Sequence, residues 1–242
     1  MILAVDAGNT RVKWALHDGR QFINHGWVAK ADLASLDAQW AALVPPATIV
    51  IANVAGEEVG QKLRALSGRW RAVPRLASSM RRQAGVTNRY EDPSQLGVDR
   101  WAALIGARSV STRACVVVNA GTATTIDALS EQGEFIGGLI VPGFELMHDA
   151  LAANTAGLSA ERGEFTPFPI MTRDAITTGA IQALCGAVER IREQMLSAGH
   201  NDPELIFSGG AGEVVARHMG RAVRIVDKLV LTGLVRMAME SR

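Results

Sequence analysis

Two segments of this chain repeat the same order of features, which are an apolar run, a glycine turn and a second apolar run. Residues 5–16 (VDAGNTRVKWAL) and 118–129 (VNAGTATTIDAL) align without a gap, with matching Val, Ala, Gly, Ala and Leu. Apolar runs on both sides of a glycine turn predict two adjacent β-strands. Coincidence in a chain rich in Ala and Val is the alternative, and the shared strand-turn-strand context argues against it. The repeat therefore predicts a duplicated unit.

The rest of the chain alternates between strand and helix patterns. Apolar runs predict strands at 2–5, 12–16, 22–28, 48–52, 114–118, 134–141, 205–208 and 223–226. A further strand is predicted to follow the second glycine turn and to end at residue 129. Helical periodicity predicts helices at 31–44, 57–66, 93–108, 143–153, 173–198, after 210 and at 228–240, and residues 78–93 are predicted to form a loop. Strands that alternate with helices predict an α/β fold. The two copies of the repeat divide it into domains 1–111 and 112–242.

Composition excludes several classes of protein. The 242 residues are 48% hydrophobic and 20% charged, with a formal net charge of +1, so a nucleic-acid partner is not expected. The start of the chain has no basic region before a long apolar stretch, and no apolar run approaches the ~18 residues of a membrane span. Cys115 and Cys185 lie in apolar surroundings and are predicted to be core thiols. We expect a cytoplasmic protein without a membrane segment.

The first turn, Asp6 to Thr10, has residues that suit phosphate binding. Asp6 ends a predicted buried strand, and Gly8 allows the backbone to approach a ligand because it has no Cβ. Amides in such a turn can form an anion cradle. Asp6 could hold magnesium through water, and Lys13 could neutralise phosphate charge. The alternative is an ordinary hairpin, because short Asp-x-Gly patterns are common.

The second turn offers Gly121 with Thr122, Thr124 and Thr125. Hydroxyls and amides that face the first turn would complete a phosphate clamp. Threonine is also common in strands, and this alternative applies more to Thr124 and Thr125 than to Thr122. The chain has no P-loop and no Gly-x-Gly-x-x-Gly after a strand, so hairpin turns are the predicted phosphate sites.

The segment from Leu96 to Trp101 (LGVDRW) places two charged residues on the first turn of a predicted helix. The carboxylate of Asp99 could act as a general base toward a substrate hydroxyl. The planar guanidinium of Arg100 could bind a carboxylate or a phosphate. The alternative is a charged helix N-terminus, at which an Asp simply favours the helix dipole.

Two further glycine clusters follow in the second half. Residues 137–143 (GGLIVPG) surround a short apolar run and predict a tightly packed corner where a ligand approaches the backbone. Residues 208–210 (SGG) follow a predicted strand and leave space for the adenosine end of a nucleotide. A plain strand-to-helix turn fits the second cluster equally well.

Together these motifs resemble those of the type III pantothenate kinases, within the acetate and sugar kinase/Hsp70/actin superfamily. That family carries Asp-x-Gly-Asn-Thr, matched at 6–10, and Gly-x-Asp-Arg, matched at 97–100 with Tyr90 shortly before. It also carries Gly-Thr-Ala-x-Thr and Gly-Gly-x-Ile-x-Pro-Gly, matched at 121–125 and 137–143. Each motif is weak alone, but four in this order are specific, and the resemblance spans essentially the whole chain.

The resemblance implies two duplicated ribonuclease-H-like domains, the actin-like ATPase fold, with ATP and the active site in the cleft between them. It implies a transferase that uses ATP and Mg²⁺ to phosphorylate pantothenate to 4'-phosphopantothenate, the first step of coenzyme A biosynthesis. It also implies a homodimer with the pantothenate site close to the dimer contact. Asp99 would be the catalytic proton acceptor. The ATP- and phosphate-binding residues would be Asp6, Ala7, Gly8, Asn9, Thr10, Arg11, Val12, Lys13 and Thr122, with magnesium held at Asp6. The pantothenate-binding residues would be Tyr90, Gly97, Val98, Asp99, Arg100 and Thr172.

One position departs from the family pattern. The family has Asp two residues before the glycine of the second turn, as part of a monovalent cation site, and this chain has Asn119 there. An amide oxygen can still bind K⁺ or NH₄⁺, but it brings no charge. Two other functions stay open. A kinase for another small acceptor, or a phosphohydrolase, would share the phosphate turns but not Gly97 to Arg100. A regulatory protein without turnover would keep only the fold.

Overall fold

The computed structural model describes residues 1–155, 158 and 161–240. The chain forms two compact units, of which the first contains Met1–Ser111 and the segment from Lys228 onward, and the second contains Thr112–Asp227. Both cysteines are buried thiols that form no disulfide with each other, as predicted. No helix within the described ranges has the length and apolar character needed to span a membrane.

The first unit is built on a five-stranded sheet. Its strands are β1 (Ile2–Ala7), β2 (Arg11–His17), β3 (Phe22–Ala29), β4 (Thr48–Asn53) and β5 (Pro74–Leu76), in the order β3-β2-β1-β4-β5. The neighbours β1, β2 and β3 are antiparallel, whereas β4 and β5 run parallel to β1. Alternate residues such as Leu3, Val5 and Trp14 form one core with the helices α1 (Ser35–Ala41) and α2 (Glu57–Ser67). The carboxyl ends of β1, β4 and β5 therefore share one edge.

The chain between β5 and the third helix, α3 (Val98–Val110), differs from the prediction of a loop and one long helix. Two short strands, β6 (Arg82–Gln83) and β7 (Val86–Asn88), form a hairpin inside the predicted loop. Positive φ angles at Ala84 and Gly85 make its tight turn. The helix predicted from residue 93 begins only at Val98, because extended backbone at Gly97 separates it from a single turn of 3-10 helix at Pro93–Gln95. Strands of two or three residues are too short for periodicity to detect.

The second unit repeats the topology of the first. Its strands are β8 (Cys115–Ala120), β9 (Ala123–Leu129), β10 (Glu134–Pro142), β11 (Glu204–Ser208) and β12 (Arg224–Ile225), in the order β12-β11-β8-β9-β10. Here too the first three strands are antiparallel neighbours, and the last two run parallel to the first. The helices are α4 (Phe144–Asn154), α5 (Thr172–Ser197) and α6 (Gly212–Ala216). The duplication predicted from the glycine turns is confirmed.

The alignment of the two hairpins without a gap is wrong beyond the glycines. Asp6 lies opposite Lys13 in the first hairpin, whereas Asn119 lies opposite Thr125 in the second. The first turn is therefore one residue longer, and Lys13 corresponds to Thr125. The coinciding Ala-Leu pairs at 15–16 and 128–129 are not structurally equivalent. The first part of the repeat reflects the duplication, and its last two matches arise by chance in apolar strands.

The last helix, α7 (Leu229–Glu240), belongs to the first unit, although the sequence-based division placed it in the second. It packs closely against α3. A Cβ at Gly233 would overlap the carbonyl oxygen of Ala102, and one at Gly106 would overlap that of Leu229. An apolar helical pattern shows that a helix is buried, but not which sheet it covers.

Candidate active site

The first turn closes with its own backbone bonds. The N–H of Gly8 donates to the carbonyl oxygen of Arg11 (3.0 Å), and the N–H of Lys30 donates to that of Thr10 (2.8 Å). The amide of Gly8 is thus bonded within the hairpin, and the anion cradle predicted for this turn stays a prediction for its other amides. Asn9 and Thr10 are exposed at the tip of the turn. Any backbone donation to phosphate must come from beyond Gly8.

Asp6 and Lys13 lie directly opposite each other on β1 and β2, at the carboxyl end of β1. Residues opposite each other on neighbouring strands project from the same face of the sheet. The pKa of the Asp6 carboxyl is raised to about 6, mainly because burial disfavours the charged form; Lys13 lowers the pKa, and the charge of Asp99 makes a smaller contribution that raises it. Within the described residues no hydrogen-bond donor reaches the Asp6 carboxylate. A desolvated carboxylate that lacks a donor and lies near a second one is suited to a divalent cation.

The other residues of the predicted phosphate segment 6–13 differ in what they offer. Ala7 and Val12 are buried in the core of the first unit, so only their backbone can face a ligand. The guanidinium of Arg11 lies over the indole of Trp27, 4.2 Å from the ring centroid. A cation held on an aromatic face gains roughly 0.5–1 kcal/mol at an exposed site. Arg11 is therefore anchored beside the turn, and Trp27 was not predicted as a neighbour of the site.

Asp99 is held at the start of α3. Its Oδ1 accepts the backbone N–H of Arg100 (2.9 Å), and a Cβ at Gly97 would lie only 2.7 Å from the same oxygen. Glycine at position 97 thus leaves the space that this carboxylate fills. The Oδ2 atom accepts no hydrogen bond from the described residues. Because Asp99 acts on the pKa of Asp6, the first unit brings Asp6, Lys13 and Asp99 together.

The predicted substrate residues Tyr90 and Arg100 contact each other. Arg100 is only 4% exposed, and its Nη1 donates to the Tyr90 hydroxyl (3.1 Å). Asn88, which the sequence analysis missed, fixes the chain around Tyr90. Its Oδ1 accepts the N–H of Tyr90 (3.0 Å), and its Nδ2 donates to the carbonyl oxygen of Pro93 (3.2 Å). The guanidinium is therefore positioned by a hydroxyl before any ligand arrives.

A cavity of about 320 Å³ lies at the carboxyl ends of the parallel strands β4 and β5, beside the start of α3. Ligands of open α/β sheets bind in this kind of place, and the volume is at the lower end of small-molecule sites. Gly97 and Val98 lie on its wall, so the predicted substrate segment borders a real cavity. The other lining residues are neutral, and they are Asn53, Val54, Ala77, Ser78, Ser79, Ser94, Gln95 and Leu96. Asn53 directly follows the predicted strand 48–52, the one signal that could have identified it.

In the second unit, the two glycine clusters pack against the second turn. The N–H of Gly143 donates to the carbonyl oxygen of Thr122 (2.9 Å), and a Cβ there would overlap the carbonyl oxygen of Gly121. A Cβ at Gly209 would overlap the backbone of Ala120. The space opened by Gly143 and Gly209 is therefore filled by this turn, whereas Gly137 and Gly210 have open space where a Cβ would lie.

The remaining predicted residues of the second unit divide by exposure. Thr122 is exposed at the tip of the turn, Asn119 is half-buried at the end of β8, and Thr172 is exposed at the start of α5. The hydroxyls of Thr124 and Thr125 are buried without a partner in the described parts of the chain. No cluster of three or more His, Cys, Asp or Glu side chains in those parts could hold a metal ion by itself. A metal here would need ligands from a bound phosphate.

Comparison with known proteins identifies the family. The family model described as type III pantothenate kinase matches residues 2–194. The chain belongs to this family. A type III pantothenate kinase of Nitrosospira multiformis is 44% identical over 241 residues, which cover 100% of this chain and 92% of that protein. One of Dechloromonas aromatica is 44% identical over 243 residues, which cover 100% of both. Membership in a kinase family implies the use of ATP.

Two solved structures are similar in fold. A protein from Sinorhizobium meliloti described as a putative 2-dehydro-3-deoxygalactonokinase gives a TM-score of 0.66 at 18% identity, covering 100% of this chain and 99% of that one. A putative Baf family transcriptional activator from Campylobacter jejuni gives 0.62 at 21%, covering 99% and 98%. Such identities bear on the fold alone. This member of the type III pantothenate kinase family has two duplicated ribonuclease-H-like units, as the resemblance implied.

Proposed function

We propose that the chain transfers the γ-phosphoryl group of ATP to the primary hydroxyl of pantothenate. The observation that carries the proposal is the grouping of Asp6, Lys13 and Asp99 in the first unit. One carboxylate suits a cation and the lysine suits a phosphate. The second carboxylate has a free oxygen for a proton. The names of the relatives at 44% identity support pantothenate as the acceptor.

Each of these residues has a task that its surroundings permit. Lys13 would neutralise phosphate charge from its place opposite Asp6, and Asp6 would hold Mg²⁺ directly or through water. Bound Mg²⁺ would supply positive charge to the phosphate oxygens. Asp99 would accept the proton of the acceptor hydroxyl at Oδ2, because its Oδ1 is fixed by the N–H of Arg100. Positioning and charge neutralisation are the main contributions that phosphoryl transfer requires.

The acceptor would lie beside Tyr90 and Gly97 to Arg100. Arg100 is buried, already oriented by the Tyr90 hydroxyl, and suited to the carboxylate of pantothenate. The neutral cavity next to Gly97 offers serine hydroxyls and amide groups to the uncharged part of the molecule. Thr122 and Thr172 remain proposals for contacts with ATP and with pantothenate. The position of the site between the two units also remains a prediction.

A coupled assay of ADP formation tests the function directly. The purified chain is mixed with ATP and Mg²⁺, and pantothenate is compared with sugars and with other small alcohols. Pantothenate-dependent ADP formation supports the proposal. ADP formation with other acceptors alone would assign the chain to another kinase activity. Absence of turnover by a folded protein would favour a regulatory role.

The monovalent cation is a separate proposal. We expect Asn119 to weaken the dependence on K⁺, because an amide oxygen brings no charge to the site. The same assay with K⁺, NH₄⁺ or Na⁺ as the main cation measures that dependence. A large loss of turnover in Na⁺ would contradict a weakened cation site.

We also propose a cytoplasmic homodimer. The segment before α5 exposes large apolar side chains, with Phe168 at 91%, Ile170 at 99% and Met171 at 48% exposure. A row of such residues on one short segment is typical of a contact with another chain. Light scattering of the purified protein measures the oligomeric state, and Phe168→Ser with Ile170→Ser should weaken the dimer. A monomeric wild type would refute the proposed homodimer. Cell fractionation tests the cytoplasmic location.

A further inference from the structure

Arg81 binds three backbone carbonyl groups of the loop that carries Tyr90. Its Nη1 donates to the carbonyl oxygens of Asn88 and Tyr90, both at 2.8 Å, and its Nη2 donates to that of Glu91, also at 2.8 Å. A guanidinium presents several donors in a rigid plane, so one side chain can satisfy three carbonyl groups at once. Arg81 thus closes the loop that follows the β6–β7 hairpin.

The bonds beyond Arg81 lead to the proposed acceptor site. Tyr90 receives the Arg81 bond at its carbonyl oxygen and the Arg100 bond at its hydroxyl. Asn88 supports the same residue from its other side, through the N–H of Tyr90. Arg100 is buried next to Asp99 at the start of α3. The position of the Tyr90 ring, and with it the direction of the Arg100 guanidinium, depends on how firmly this loop is held.

We propose that Arg81 is a positioning residue for the phosphoryl acceptor, acting through Tyr90 and Arg100 without touching the acceptor itself. The inference rests on the proposed function for the identity of the acceptor. Loss of Arg81 leaves the chemistry of Asp6, Lys13 and Asp99 in place, so the effect falls on acceptor binding. Arg81→Lys keeps the charge but has a single nitrogen, which cannot reproduce donation from two.

Two measurements test this role, and the first does not depend on activity. Tyr90 is the single tyrosine of the chain, so incorporation of 3-fluorotyrosine gives one fluorine NMR signal that reports on its surroundings. Arg81→Met should shift or broaden that signal. Arg69→Met is the matched control, because Arg69 also holds a distant segment, donating to the carbonyl oxygen and to Oδ1 of Asp37. It should leave the signal unchanged.

The second measurement separates KM from kcat. Arg81→Met should raise the KM for pantothenate about tenfold, equivalent to ~1.4 kcal/mol, while kcat and the KM for ATP change less than about twofold. Arg81→Lys should be intermediate. In a Tyr90→Phe background, Arg81→Met should add less than about threefold, because the residues act through one path.

The possible outcomes are distinct. An unchanged fluorine signal in Arg81→Met overturns the inference, as does a changed signal with an unchanged KM for pantothenate in an active enzyme. A similar rise of KM in Arg69→Met would also overturn it, because general loss of stability would then be the cause. A wild type that does not use pantothenate refutes the proposed function instead. In that case the fluorine signal alone shows whether Arg81 positions Tyr90.

Discussion

Asp6→Asn should make the ligand-free protein more stable and the enzyme less active. In the folded protein, burial and the charge of Asp99 raise the pKa of Asp6 from 3.8 to about 6. Each pKa unit corresponds to ~1.4 kcal/mol, so keeping this carboxylate ionised costs the folded state ~3 kcal/mol. Asparagine has nearly the same shape and no charge. The substitution removes that cost, and with it the proposed ligand of Mg²⁺.

The gain in stability depends on pH in a defined direction. Below about pH 4 the carboxyl is protonated in both the folded and the unfolded chain, so the substitution changes little. As the pH rises from about 4 through 6, the unfolded chain ionises first and the folded protein loses relative stability. Above about pH 6 the full difference in stability between Asp6→Asn and the wild type is present. A protein of this size changes its Tm by roughly 2–4 °C per kcal/mol, which predicts a rise of about 6–12 °C near pH 8.

Thermal unfolding without nucleotide, near pH 4 and near pH 8, measures this effect. Asp18→Asn is the control of opposite sign, because the exposed Asp18 accepts the N–H groups of Gln21 and Arg20, which lower its pKa. That variant should be no more stable than the wild type near pH 8. Equal stability of Asp6→Asn and wild type at that pH, or an equal gain at both pH values, would refute the reasoning. MgATP should stabilise the wild type but not Asp6→Asn.

Three further substitutions test the rest of the site. Asp99→Asn should lower kcat by about 10²–10⁴ and retain nucleotide binding. Turnover measures the first effect and a thermal shift with ADP measures the second. Near-normal turnover would show that Asp99 is not the base. Arg100→Ala should raise the KM for pantothenate and also lower the Tm, because the side chain is buried, whereas an unchanged KM would contradict its role. Gly143→Ala should destabilise the protein by about 1–3 kcal/mol through overlap with Gly121, while Gly186→Ala, with open space in α5, should not. Thermal unfolding measures the stability of both variants. Equal stability would show that the backbone of the second turn can shift to make room for the added Cβ.

The sequence could predict the strands and the positions of both turns because apolar runs end there. Asp6, Lys13 and Asp99 were predicted as site residues from chemistry and from resemblance, and the structure brings them together in one unit. Their roles remain proposals. What the pattern could not show was which backbone groups are already bonded. The amide of Gly8 closes its own hairpin, and Gly143 packs against the second turn.

Contacts between distant segments were also beyond the sequence. Tyr90 and Arg100 were both predicted, but the bond between them was not, because no periodicity relates two positions across a loop and a helix start. Arg81 lies in residues 78–93, which were predicted only to form a loop. Its three bonds go to carbonyl groups, which every residue has and which therefore leave no trace in the sequence.

The position of α7 has a consequence for synthesis on the ribosome. The first unit needs the last helix to cover α3, yet the whole second unit is translated between them. Residues 1–111 therefore leave the ribosome with part of their apolar surface uncovered until α7 has been synthesised. The second unit, in contrast, is continuous in sequence. A nascent chain that stalls before Leu229 would leave the unit that carries Asp6 and Asp99 exposed to proteases and chaperones.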